Sequence, residues 1–407
     1  MGFEQGLSGL NAASKNLDVI GNNVANANTV GFKESQAQFA DVYANSLTGA
    51  GGTQVGIGTK VATVAQQFTQ GNITISNNPL DVAINGGGFY RMSNNGVVSY
   101  SRNGQFQLDK FGYIVNGEGY RLTGYTANAA GVLNTATPAD LQISTADLNP
   151  AATTKVNALI NLDSRQTALS AAAFNINDPT TYNSSTSVST YDSLGNAHTL
   201  STYYVKTAAN TWSVFAANDG VQIGAAPLGN LVFKSDGSVD TALTTLPMAV
   251  SVAFTTGATS PMAFNLDFTG TTQFGSTFSV NTMNQDGFTS GRLSGFNVSA
   301  DGTIVGRYTN GKSATLAQVA LANFTNPQGL QPLGNNRWAE SATSGAPLVG
   351  APSSGGLGVL QSGAVEDSNV DLTSELVNMI TAQRVYQANA QTIKTEDAVL
   401  QTLVNLR

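Results

Sequence analysis

Cysteine is absent from this 407-residue chain, and histidine occurs once, as His198. Without cysteine there is no disulfide scaffold, thiolate zinc site or thiol nucleophile. A lone imidazole excludes every multi-histidine metal centre. Charge is scarce as well: Asp, Glu, Lys and Arg make up 11% of residues, under half the roughly 25% of an ordinary soluble domain. The balance is acidic, 18 Lys+Arg against 25 Asp+Glu for a formal net charge of −7, which disfavours binding to a nucleic-acid backbone. No apolar run reaches the roughly 18 residues needed to span a bilayer. The start, Met1-Gly2-Phe3-Glu4-Gln5, is acidic, and polar Asn11, Ser14, Lys15 and Asn16 interrupt any apolar core. Neither a cleavable secretion signal nor membrane insertion is expected. These absences remove most enzyme classes, and no catalytic residue, cofactor or metal is expected.

What is present divides into two grammars. The ends read as helices. Apolar or small residues recur in alternating steps of four and three at Phe3, Leu7, Leu10, Ser14, Leu17, Gly21 and Val24. They do so again at Leu372, Leu376, Met379, Gln383, Tyr386, Ala390, Ile393, Asp397, Leu400 and Val404. A mean period near 3.5 predicts a helix seam that packs in a left-handed supercoil. Ser368, Asn369 and Asp371 supply start signals, Glu375 suits the positive helix end, and no Gly or Pro follows Gly363. The second helix is therefore expected over about 371–405, roughly 50 Å long at about 1.5 Å per residue. A seam does not name its partner, so an intramolecular hairpin and packing between copies both satisfy it. Val377, Ile380 and Val399 widen the face beyond one partner helix, which favours packing between copies. Asn22, Asn23, Asn26 and Asn28 weaken a lone helix, because their side chains compete for backbone groups.

The middle reads as strands and turns. Asn-Gly or Asp-Gly pairs stand at 95, 103, 116, 219, 236, 286, 301 and 310, flanked by runs such as Thr202-Tyr203-Tyr204-Val205 and Trp212-Ser213-Val214-Phe215. Such pairs predict type I′ hairpin turns. Composition shifts near 147 and near Asn281–Gly287, and 45–60 is rich in glycine. At about 150 residues per domain the length predicts two to three domains. Gly306-Arg307-Tyr308-Thr309-Asn310-Gly311-Lys312-Ser313 matches the phosphate-loop pattern, but β-compatible residues follow where a nucleotide site needs a helix, so a hairpin turn is expected. His198 reads as a surface or strand-edge residue without a suggestive Asp nearby. Gly86-Gly87-Gly88 reads as a close approach of two backbones. Asp109, Asp163, Asp192 and Asp267 show no pairing spacing.

Two end segments carry a resemblance. Leu7-Ser8-Gly9-Leu10-Asn11-Ala12-Ala13, Asn22-Asn23-Val24-Ala25-Asn26 and Thr29-Val30-Gly31-Phe32-Lys33 resemble the N-terminal signature of flagellar rod, hook and hook-associated proteins. Ser368-Asn369-Val370-Asp371-Leu372, with Met379-Ile380-Thr381-Ala382-Gln383-Arg384 and Tyr386-Gln387-Ala388-Asn389-Ala390, resembles the matching C-terminal signature. Tyr100-Ser101-Arg102-Asn103-Gly104-Gln105-Phe106 and Tyr120-Arg121-Leu122-Thr123-Gly124-Tyr125 are similar to segments of hook and rod members. The chain length and the ending, Ile393-Lys394-Thr395-Glu396-Asp397 to Arg407, resemble the hook branch, the distal rod branch being shorter.

The resemblance implies a mainly β chain with helical termini, the N- and C-terminal helices paired as a coiled-coil-like inner domain followed by two antiparallel β domains nested along the chain. The expected division is 1–71 with 366–407 as the helical polymerisation domain, 72–146 with 286–365 as an inner β domain, and 147–285 as an outer one. It implies a structural subunit that polymerises into a curved tube, the joint between rod and filament. It also implies export through the flagellar type III apparatus, and hook cap, distal rod and hook–filament junction proteins as neighbours. The polymerisation residues it points to are Leu7, Leu10, Leu17, Asn22, Asn23, Val24, Asn26 and Phe32 at one end. At the other they are Leu372, Leu376, Met379, Ile380, Gln383, Tyr386, Ala390, Ile393, Leu400 and Val404.

Overall fold

A computed structural model describes residues 2–43, 56–128, 131–144 and 146–405; most of the glycine-rich 45–60 stretch lies outside these described residues. The chain forms two compact units. The first comprises Met1–Thr145, Gly295–Arg307 and Ser313–Arg407, the second Ala146–Ser294 and Tyr308–Lys312.

In the first unit, helix α1 runs Gly2–Ala25 and helix α2 runs Leu372–Asn405. Asp371 starts α2: its carboxylate accepts from the Thr373 amide at 2.9 Å, as an N-cap does. At the end of α1, the Asn26 side chain donates to the Asn22 carbonyl at 3.0 Å, the backbone competition expected of an Asn-rich segment. Strands β1 (Ser35–Val42) and β2 (Gly58–Gln66) form an antiparallel ribbon beside the helices, with a bulge at Gln38/Phe39. The rest of the unit is a large sheet and two short ribbons. Its core is aromatic: Phe68, Phe89, Tyr100, Phe324 and Trp338 meet edge to face at 4.7–6.0 Å between ring centres. Offset and edge contacts of this kind add to the area buried.

The second unit packs two sheets on one core. Its central strand, Lys155–Asp163, buries Val156, Ala158, Ile160 and Leu162 completely, the period-two pattern of a strand. These side chains share a core with Leu200, Tyr204, Trp212 and Phe268. One departure from the expected antiparallel pattern occurs here. Lys155–Asp163 pairs antiparallel with Ser279–Gln285, but parallel with Met262–Asp267 and Thr272–Phe274. The segments by which the chain enters and leaves the unit meet in isolated antiparallel bridges, Leu148 with Gly291 and Ala151 with Phe288.

The turn chemistry is more varied than the dipeptides predict. Asn95-Gly96 and Asp219-Gly220 have both residues at positive φ, as type I′ requires. At Asn116, Asp236, Asp301 and Asn310 the side-chain oxygen instead accepts from the amide two residues on, building an Asx turn. The phosphate-loop match is such a turn. Thr303–Tyr308 and Ser313–Val319 are paired strands, and Lys312 lies over the Phe288 ring at 5.1 Å.

Candidate assembly site at the paired termini

The two terminal helices pair antiparallel within the chain, through small residues rather than through the large apolar stripe. Gly6 faces Ile393, Gly9 faces Asn389 and Asn23 reaches Glu375. A Cβ at Gly9 would stand 2.6 Å from Asn389 Oδ1, and one at Gly6 would stand 3.0 Å from Ile393 Cγ1. The buried stripe of α1 is Gly6, Ala13, Ile20 and Asn23, and on α2 Glu375 and Ala382 are buried. Helices approach more closely where facing side chains are small.

The buried stripe is therefore displaced by one residue from the expected seam; of the seam, Ile393 still packs on Gly6, and many other members are left exposed. Leu7, Leu372, Leu376, Ile380, Tyr386, Leu400 and Val404 are exposed, Leu376 to 49% and Leu400 to 53%. Gln383 and Asn22 are exposed, while Leu10, Leu17, Val24, Asn26, Met379, Ala390 and Ile393 are half-buried. Because Gly2 lies against Glu396, the α2 residues beyond Glu396 project past the start of α1.

Asn23 and Phe32, expected on the polymerising surface, are buried inside the subunit. Asn23 acts as a backbone surrogate. Its amide donates to the Ser35 carbonyl at 2.8 Å, and its oxygen accepts from the Ser35 N–H at 3.0 Å. This ties the foot of α1 to the first residue of β1.

Below the helices lies a buried ion cluster that no motif announced. Lys33 Nζ stands 2.7 Å from Glu366 Oε1, and Arg102 Nε stands 3.0 Å from Glu366 Oε2. All three side chains are at most 4% exposed. The surroundings add further hydrogen bonds, though Arg102 Nε and Glu366 Oε2 themselves make none. Lys33 also donates to the Thr69 carbonyl at 2.7 Å. The Arg102 guanidinium donates to the carbonyls of Gly86 and Gly88, and the Gly71 N–H donates to Glu366 Oε1 at 2.9 Å. Gly86 in turn lies against the Gly358 backbone, the close approach expected of the triple glycine. Burial pushes the Lys33 pKa down, and the Glu366 charge works against that shift. Nearby, Asn369 accepts from the Glu34 N–H at 2.7 Å and donates to the Gln67 carbonyl at 2.8 Å. The roots of both helices are thus fastened to the β body by charges and amides drawn from distant parts of the chain.

Gly31 makes this fastening possible. Its φ is +70°, and a Cβ there would stand 2.6 Å from the Asn103 nitrogen. Gly31→Ala is expected to cost about 1–3 kcal/mol through backbone strain, read as a lower urea midpoint for the first unit.

Between α1, α2 and the β1–β2 ribbon lies a cleft of about 650 Å³. Apolar Ala13, Ile20, Ala37 and Val385 line it, together with the carboxylates of Glu34 and Glu375. Burial, and after it the charge of Glu375, holds the Glu34 pKa above its usual value.

The second unit offers no comparable constellation. His198 is not a plain surface residue: it is 8% exposed and stacks on Phe254 at 4.2 Å. Its Nδ1 lies 2.6 Å from Asp219 and its Nε2 lies 3.4 Å from Asp192. Asp192 is itself engaged in a turn, accepting from the amides of Leu194 and Asn196. Asp163 is held at a pKa of about 2 by hydrogen bonds from Arg165. Asp109 and Asp267 likewise accept from turn amides.

Among the described residues no helix is long and apolar enough to cross a membrane. Family models match in chain order along the molecule. They are a flagella basal body rod protein model over 3–33 and a flagellar hook protein FlgE/F/G D1 domain over 83–178. A flagellar basal body protein FlaE D2 domain comes next over 161–288, and a flagellar basal body rod FlgEFG protein C-terminal model over 361–406. The chain is 43% identical to the flagellar hook protein FlgE of Salmonella typhimurium, and 43% identical to that of Escherichia coli K12, over 100% of each chain. It is 33% identical to that of Borreliella burgdorferi over 99% of this chain and 98% of the other. The crystal structure of Helicobacter pylori flagellar hook protein FlgE2 aligns with a TM-score of 0.54 at 16% identity, covering 71% of this chain and 99% of that one. At that identity the structural likeness speaks for the fold alone. Matched at both ends and through the β body, and alike over its full length, the chain belongs to the flagellar hook protein family.

Proposed function

We propose that this chain is the structural subunit of a bacterial flagellar hook, polymerising into a curved helical tube that acts as a universal joint between rod and filament. The observation that carries the reading is the displaced seam. The helix pair satisfies itself with small residues and leaves Leu7, Leu376, Ile380, Leu400 and Val404 exposed, more apolar surface than an isolated subunit has reason to present. Covered by other copies, those stripes would line an inner tube. We assign this role to 1–71 with 366–407, an inner β layer to 72–146 with 286–365, and an outer layer to 147–285. In this reading the subunit leaves the cell through the flagellar type III apparatus and meets the hook cap, the distal rod and the junction proteins at the ends of the tube.

Deleting residues 372–407 tests the reading while sparing Glu366. The truncated protein is expected to stay soluble and β-rich by circular dichroism, and to give no tubes in high salt under the electron microscope. Tubes from that protein would refute the terminal-helix role. Straight rather than curved tubes from the full chain would instead favour a rod subunit.

A further inference from the structure

We propose, resting on the polymer reading above, that the cleft beside α1 and α2 is a socket for a second copy of this chain. It would receive the ridge Val377–Ile380–Arg384 of that copy's α2. The cleft has apolar walls and a doubly acidic floor. Glu375 is buried, and among the described residues its oxygens accept only long hydrogen bonds, 3.3 Å each, from the side-chain amides of Asn23 and Asn378. Among the described residues no cation pairs with Glu34 or Glu375. Two carboxylates placed together in an apolar cleft are costly until a cation joins them, and the raised Glu34 pKa reports the same tension.

The matching cation is on the same helix. Arg384 is exposed and forms no ion pair among the described residues. It stands nine positions after Glu375, about two and a half turns at roughly 3.6 residues per turn, and therefore on the opposite side of α2. Val377 and Ile380, 58% and 52% exposed, share that side. Ridge and cleft thus occupy opposite faces at the same level of one helix. A copy docking ridge into cleft presents its own cleft to the next, a heterologous contact that propagates without saturating. An arginine suits the floor because its planar fork can donate to two carboxylates at once. Other cations fit less well. Lys15 is already paired with Asp18 at 3.2 Å, and Lys394 lies about a quarter turn round the helix from the ridge.

The test is the protein concentration left soluble at equilibrium with tubes. Arg384→Glu is expected to raise it about tenfold, the scale of a close charge pair across an interface. Glu34→Lys combined with Arg384→Glu is expected to restore most of that loss. Wild-type assembly by Arg384→Glu, or failure of the combined variant to recover, overturns the socket. Leu400→Asp run alongside separates the two levels: if Arg384→Glu assembles normally while Leu400→Asp abolishes tubes, the terminal-helix contact stands without the socket, and if both assemble normally, the Leu400 stripe and the socket are both excluded from the contact. The cysteine-free background allows a direct second measurement. Tubes grown from mixed Gln36→Cys and Ile380→Cys subunits should form intermolecular disulfides on oxidation, and tubes that form without them rule the socket out.

Discussion

Glu366→Gln is expected to destabilise the first unit by about 3–5 kcal/mol, the cost of leaving buried charge without its counter-charge. The carboxylate Oε1 accepts from Lys33, from Arg102 Nη2 and from the Gly71 amide, and the Lys33, Arg102 and Glu366 side chains are almost wholly buried. An amide of the same shape offers one oxygen and no charge, so two buried cations lose their partner together. The two tryptophans report separately, Trp338 from the core of the first unit and Trp212 from that of the second. Urea unfolding followed through Trp338 in a Trp212→Phe background should show the loss, while the Trp212 transition, followed in a Trp338→Phe background, should not move on adding Glu366→Gln. A shift below about 1 kcal/mol would mean that the cluster is not what holds the helix roots. A pH signature accompanies the loss. The Lys33 pKa is lower in the folded chain than its ordinary 10.5. Between those two values the unfolded chain binds more protons, so stability rises with pH across that window. Removing Glu366, which raises the Lys33 pKa, extends the window downward, and the variant should recover part of its deficit on the alkaline side.

Leu376→Asp and Leu400→Asp carry the other large effect, on assembly rather than folding. Both side chains are about half exposed, so a charge there costs the subunit little. Buried against another copy, an unpaired carboxylate would cost several kcal/mol per contact, repeated at every subunit of a tube. The expected result is an unchanged circular dichroism spectrum and thermal midpoint, with no tubes at any concentration that suffices for the unaltered chain. Tubes of normal length from either variant would show that its stripe faces solvent in the polymer.

The helices themselves are legible in the residues. A 3.5-residue period, an Asp at the N-cap and the lack of Gly or Pro after Gly363 give α2 to within a residue of its observed start. The seam is not, because periodicity marks the largest side chains, whereas contact between helices goes to the faces that approach most closely. Gly6, Gly9 and Ala13 carry too little hydrophobicity to register in a pattern. The ion cluster is hidden for another reason. Lys33 and Arg102 sit within the family segments, but a single charge in a polar stretch reads as solvated. Only the fold brings Glu366 to them. The setting of His198 is concealed likewise, since Asp219 reaches it from a hairpin 21 positions away.

Lys33 and Glu366 are separated by 333 positions in the chain. A cut that removes either one takes a partner from the same buried cluster, so the footing of the helices depends at once on the front of the chain and on its back. Both ends must be made before the cluster beneath the helices can close.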